Sequence, residues 1–172
     1  MTPMISVVGK SNSGKTTLIE KLIPELKKRG YKIGIVKHAH RSFEMDKEGK
    51  DSWRHQKAGA DTVVVASPGG LAMVKKEPCP DLDSMSKYFN DMDLVITEGF
   101  KRENRPKIEV FRSSQHKEPL CLDRDDLFAF VSDIDMDLHV PAFGLDDIEK
   151  LTDLIETKFL YRKPEHAGSE GK

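Results

Sequence analysis

Cysteine is scarce in this 172-residue chain: Cys79 and Cys121 lie far apart with no C-x-x-C spacing. A disulfide framework, a zinc ribbon and a dithiol redox centre are therefore not expected, and both are read as reduced thiols. An excess of one charge is missing too. Lys and Arg number 28 against 29 Asp and Glu, which leaves no basic surplus for nucleic acid and no polybasic run for a membrane surface. No apolar run reaches the length of a spanning helix. The opening MTPMISVVGK enters a strand-like run without the charged and apolar regions of a secretory signal, so the expected home is the cytoplasm and the expected partners are small molecules and proteins. The nine prolines and twelve glycines are scattered rather than gathered into a linker, and no repeat or low-complexity segment is present. One α/β domain over 1–162 is expected, followed by a polar, frayed tail at 163–172.

What the chain does have is GKSNSGKT at residues 9–16, which fits the P-loop (Walker A) pattern G-x-x-x-x-G-K-[ST]. It follows the apolar run Ile5-Ser6-Val7-Val8 and precedes Leu18, Ile19, Leu22 and Leu26 at helical spacing. A short loop between a buried strand and a helix start aims several backbone N–H groups at one point, where the helix dipole also favours negative charge. Gly9 and Gly14 permit turns and close approaches that a β-carbon hinders. Lys15 is the candidate for the β- and γ-phosphates, and the Thr16 hydroxyl for Mg²⁺. The pattern predicts a nucleoside triphosphate in this loop.

Beyond the P-loop, the spacing predicts a helix over 15–29 with Gly30 as its stop, and Pro24 is expected to kink or split it. Strands are expected at 32–38, 93–98, 107–111 and 127–131, a short helix through Trp53 and Lys57 with Asp51 or Ser52 as its cap, and a helix at 146–160, with weak helix at 81–90. Thr62–Ala66 and Leu71–Val74 flank Ser67-Pro68-Gly69-Gly70, which predicts an antiparallel hairpin added to the sheet. The order strand, loop, helix, strand predicts an α/β P-loop NTPase with a mostly parallel, doubly wound sheet. The hairpin is also the most apolar β-like stretch outside that pattern, and a homodimer contact is expected there.

In open α/β sheets ligands sit beyond the carboxyl ends of the strands. Glu98 closes the apolar strand DLVITE, so it is the candidate to bind the metal through water or to orient an attacking water. The polar, aperiodic stretch 39–50 is read as a switch-like loop, in which Asp46 is a candidate magnesium partner. Asp51 is explained equally well as a helix cap. His38, His40 and Asp46 are not read as a zinc set, because residues at i and i+2 of a strand point to opposite faces. Lys101, Arg102 and Arg105 follow Gly99-Phe100 in a polar loop that fits either phosphate contact or plain solvation.

GKSNSGKTTL, KHAHRSFEMDKEGKDSWRHQKAGA and DLVITEGFK together resemble the molybdopterin-guanine dinucleotide biosynthesis protein B (MobB) family of small P-loop GTP-binding proteins, over most of 4–112. The resemblance implies a GTP-binding, weakly GTP-hydrolysing homodimer that assists a guanylyltransferase attaching GMP to molybdopterin. Carried over, it assigns Gly9, Lys10, Ser11, Asn12, Ser13, Gly14, Lys15, Thr16 and Thr17 to the triphosphate. It assigns Thr16 and Glu98 to Mg²⁺, and 37–60 to a mobile loop and helix near the γ-phosphate or the partner. Lys10 stands where certain dimeric P-loop ATPases carry a lysine that reaches into the partner's site, a position equally compatible with a solvated lysine. No N-K-x-D base-recognition motif occurs. Asp133 is the candidate base contact, since one carboxylate can accept both N–H groups of a guanine edge. The rival reading is a small nucleoside or metabolite kinase with Lys101, Arg102 and Arg105 as a clamp, and a third is a module that holds nucleotide without chemistry.

Overall fold

The computed structural model describes residues 2–39, 46–78 and 81–160. The chain divides into two compact units, 1–38 with 88–172, and 39–87. In the first unit every described strand is parallel to its neighbours, in the order β2-β5-β1-β6-β7-β8. These strands are β1 (Met4–Val8), β2 (Ile33–Lys37), β5 (Leu94–Glu98), β6 (Lys107–Phe111), β7 (Leu127–Ser132) and β8 (Ala142–Gly144). The first strand, which feeds the P-loop, lies mid-sheet between β5 and β6.

Strand alternation sorts the side chains. Ile5, Val7, Leu94, Ile96, Ile108 and Val110 share one core with Leu18, Ile19, Leu22 and Leu26 of α1 (Lys15–Lys28) and Leu151 and Ile155 of α4 (Ile148–Phe159). Both long helices therefore cover the same sheet face. On the other face Val8 and Leu127 pack with Cys121, and burial pushes the Cys121 thiol up to about 11, as suits an inert core cysteine.

That second face is unusually polar. Ser6, Thr97, Lys107 and Glu109 are all buried there, and each has a partner, as buried polar groups require. Thr97 Oγ1 donates to Ser6 Oγ (2.8 Å). Lys107 Nζ donates to the carbonyls of Glu103 and Arg105 and to Asp126 Oδ2. The carboxylate of Glu109 accepts the N–H groups of Leu120 and Cys121, while burial raises its pKa above the usual glutamate value.

α1 is not split at Pro24, which it contains without interruption. It ends at Gly30, whose φ of 89° is left-handed. Tyr31 N–H donates to Leu26 O and Gly30 N–H to Lys27 O, a two-bond closure that satisfies carbonyls of the last turn.

The second unit holds α2 (Asp51–Lys57), the hairpin β3 (Thr62–Ser67) and β4 (Gly70–Lys75), and the short α3 (Leu82–Met85) capped by Asp81. The antiparallel hairpin forms where expected, with Ser67 opposite Gly70 across a two-residue turn. It is not an addition to the large sheet: it makes a two-stranded sheet of its own. The segment 39–87 forms a compact unit of its own. The tail at 163–172, Cys79, and residues 40–45 of the switch-like loop lie outside the described residues.

Candidate nucleotide site

The P-loop is shaped by left-handed backbone at Gly9 (φ 143°), Asn12 (φ 61°) and Gly14 (φ 99°). Gly9 is also fixed by space: a β-carbon there would come within 2.6 Å of Ser13 Oγ and closer still to the carbonyl oxygen of Val110 in β6. Gly14 is the N-cap of α1 and offers no side chain to it, and the first turn holds no acidic residue. Among the described residues, the N–H groups of Gly14, Lys15, Thr16 and Thr17 donate to no backbone carbonyl outside the helix. A helix start left without an internal acceptor and without a carboxylate suits an external anion such as phosphate.

Two neighbouring strands frame this loop. Leu94, Ile96 and Glu98 alternate onto the α1 face of β5, so the closing acid reaches Thr16, whose Oγ1 donates to Glu98 Oε1 (2.9 Å). Lys37, ending β2 beside it, lies 3.3 Å from Glu98 Oε2. Lys15 Nζ donates to the Lys10 carbonyl within the loop (2.8 Å). Burial holds the Lys15 ammonium below the usual lysine value; Glu98 pulls it up, and Lys37 and Lys101 push it down. Phe100, two residues past Glu98, is left-handed (φ 51°) and packs edge-on against His38 with ring centroids 5.0 Å apart. A bulky residue in that region is strained, and such strain gathers at functional sites.

On the other side, β6 runs past the end of β1, with Val8 level with Glu109. Arg112 continues the alternation of Ile108 and Val110 onto the α1 face and arrives at the helix start. A β-carbon on Gly14 would lie 3.6 Å from Arg112 Nε and 3.8 Å from its Nη2. The segment after it is strapped along the loop: His116 Nε2 donates to Ser11 O (2.7 Å) and Lys10 Nζ to Glu118 O (2.7 Å). Asp133, just beyond β7, accepts the Ser113 N–H on Oδ1 (2.8 Å), and that bond draws its pKa below the usual aspartate value.

Of the residues expected from sequence, Gly9 to Thr17 and Glu98 come together, and Asp133 sits beside the β6 end of the same loop. Lys10 is engaged within its own chain. Asp46 belongs to the second unit, where its Oδ1 accepts the Lys47 N–H. Arg112, which the sequence analysis does not single out, also reaches this helix start. Its signal was available in principle, a cation just past an apolar strand and in phase with that strand's core-facing residues.

A family model described as molybdopterin guanine dinucleotide synthesis protein B, MobB, matches residues 4–133. The chain belongs to the MobB family. It is 38% identical over 157 residues to the molybdopterin-guanine dinucleotide biosynthesis adapter protein of Haemophilus influenzae, covering 90% of this chain and 88% of the relative. The adapter protein of Escherichia coli is 37% identical over 164 residues, covering 90% and 92%. The crystal structure of Bacillus subtilis MobB superposes with a TM-score of 0.75 at 28% identity, over 94% of this chain and 99% of that one. The MobB match includes both framing strands, Glu98, Arg112 and Asp133, and stops before β8 and α4.

Proposed function

We propose that this MobB-family chain acts in molybdenum cofactor biosynthesis as a cytoplasmic adaptor that binds GTP with Mg²⁺, hydrolyses it slowly, and assists a partner guanylyltransferase that attaches GMP to molybdopterin. The role in molybdenum cofactor biosynthesis follows from the family. Nucleotide binding is supported by one observation above others: a P-loop whose helix start has neither a side-chain cap nor an acid, with Thr16 bonded to an acid at the end of β5.

Mg²⁺ fits these residues. The Thr16 hydroxyl keeps oxygen lone pairs for a metal while its hydrogen is held by Glu98, and Mg²⁺ commonly takes few protein oxygens and several waters. Bound there, the metal would neutralise developing charge on the phosphates. This chain's residues do the rest. Lys15, already partly desolvated, exchanges the Lys10 carbonyl for phosphate oxygens, and Glu98 orients water beside them.

Calorimetry of the full chain with GTP, GDP and ATP, with and without Mg²⁺, tests the binding. GTP binding strengthened by Mg²⁺ is expected; no binding of any nucleotide overturns the reading. Hydrolysis stimulated by the partner guanylyltransferase supports the adaptor, whereas γ-phosphate transfer to a metabolite would favour a kinase.

The dimer reading is supported by the hairpin of the second unit, where Val64, Leu71 and Met73 are exposed, Leu71 to 71%. Val64 and Met73 face each other across the strands and share a side with Leu71. Val64→Lys with Leu71→Glu should yield a folded monomer by light scattering. A wild type that is monomeric at micromolar concentration, with and without GTP, would count against pairing.

A further inference from the structure

The charged groups that line the P-loop are each engaged, and only the buried Ser13 hydroxyl is left without a partner there among the described residues, but Arg112 does not join them. Lys10, Lys15, Thr16, Lys37 and Glu98 each have a partner within this unit. The Arg112 guanidinium forms no hydrogen bond or ion pair among the described residues, although it is half-buried and packed at the Gly14 turn. Its neighbour Asp133 attracts it electrostatically but lies beyond ion-pair distance, and spends Oδ1 on the Ser113 N–H. A half-buried guanidinium that has only a longer-range carboxylate beside it gains from an anion that meets it directly.

We propose that Arg112 is a nucleotide-binding residue that grips the α-phosphate and nucleoside side of the bound nucleotide, the side away from the magnesium. The inference rests on the nucleotide-binding reading above. Its geometry comes from strand order. Glu98 and Thr16, the metal-binding groups, gather over β5 on one side of β1, with Lys37 paired to Glu98. A nucleotide whose metal-bearing end lies over β5 leaves the loop over β6, where Arg112 meets it at the start of α1. Arginine suits this place because its planar fork can donate twice to a phosphate while its stem packs on the loop. Asp133, one strand further out, is then next to the nucleoside.

Calorimetry with GTP and GDP in Mg²⁺, on wild type, Arg112→Ala and Arg112→Lys, decides the matter. Arg112→Ala should weaken GTP and GDP by the same factor, roughly ten- to thirtyfold, as fits the loss of a charge-assisted contact. Arg112→Lys should recover part of it. Unchanged GTP and GDP affinity in Arg112→Ala overturns the proposal, and a loss confined to GTP overturns the assigned side, since only GTP carries a γ-phosphate. If Arg112→Ala fails to fold by circular dichroism, Arg112→Gln, which keeps most of the stem, is held to the same two outcomes. A wild type that binds no nucleotide would instead sink the nucleotide-binding reading itself.

Discussion

On the β5 flank of the P-loop the charges are closed on themselves, with Glu98 held between the Thr16 hydroxyl and the Lys37 ammonium. On the β6 flank Arg112 makes no hydrogen bond or ion pair among the described residues and feels only the longer-range pull of Asp133, and the ordering bonds run through backbone: Ser113 N–H to Asp133, His116 to Ser11 O, and Lys10 to Glu118 O. The two flanks flank the same glycines and face the same helix start. They differ in what binding must undo. A ligand on the β5 side exchanges existing pairs for new ones, so the net gain is small. A ligand on the β6 side meets a cation that has no direct hydrogen bond to break, only a longer-range attraction to Asp133, so more of the contact appears as affinity. The comparison predicts that the β5 flank governs metal and hydrolysis while the β6 flank governs nucleotide affinity.

The largest effect belongs to the residue both flanks share. Lys15→Ala should weaken GTP binding by about 1.5 to 3 kcal/mol, one to two decades, with the thermal melt nearly unchanged. Unaltered affinity by calorimetry would remove the loop from the argument and the comparison with it.

Next comes the closed flank. Glu98→Gln should cut magnesium-dependent GTP hydrolysis about tenfold or more while changing GTP affinity only a few-fold, because the amide still accepts from Thr16 but no longer carries charge for metal or water. An affinity loss as large as the hydrolysis loss would show that the internal pairs were not compensating, and the two flanks would cease to differ.

A smaller effect is expected at the outer edge of the open flank. Asp133→Asn should keep the brace to Ser113, since the amide oxygen still accepts, yet reduce the preference for GTP over ATP by roughly three- to tenfold. Competition binding measures it. An unchanged preference would move base recognition away from Asp133.

How much of this was readable in the chain depends on how local each feature is. The P-loop, Glu98 and five of the six parallel strands carry their signals within a few residues, as apolar runs with a glycine turn or a closing acid. β8 does not: Ala142–Gly144 spans three residues with no buried alternation, and only pairing with β7 makes it a strand. The hairpin's register was legible from Pro68-Gly69, but its separation from the large sheet depends on tertiary placement, about which local pairing says nothing. Arg112 was hidden for the same reason. Its importance comes from β6 overrunning β1, a register between strands a hundred residues apart. The Lys10 tie to Glu118 spans a similar distance, and no local pattern announces it.

The finest test separates the flanks by their foundations. β6 and β7 begin at an ionic clamp, where Asp126 takes two bonds from Arg124 and one from the fully buried Lys107. β1 and β5 are joined beside the site by the neutral pair Thr97–Ser6. The Arg124 hydrogen bonds, with Lys107 adding to them, draw the Asp126 pKa from 3.8 to about 2. A folded-state value below the unfolded one means that the clamp's stabilisation is fully present above the unfolded pKa and is lost as pH falls toward the folded one. Acidification from pH 4 to pH 2 should therefore loosen β6 and β7 before β1 and β5. Amide hydrogen exchange, corrected for its intrinsic pH dependence, should show protection at Ile108–Phe111 and Phe128–Val131 falling by a few-fold relative to Ile5–Val7 and Val95–Thr97. Asp126→Asn should reproduce the difference at neutral pH, because the amide still accepts from Arg124 but leaves Lys107 without its counter-charge. Equal loss of protection on both sides of β1 would mean that the flanks open as one cooperative body, and that their difference is confined to the side chains at the loop.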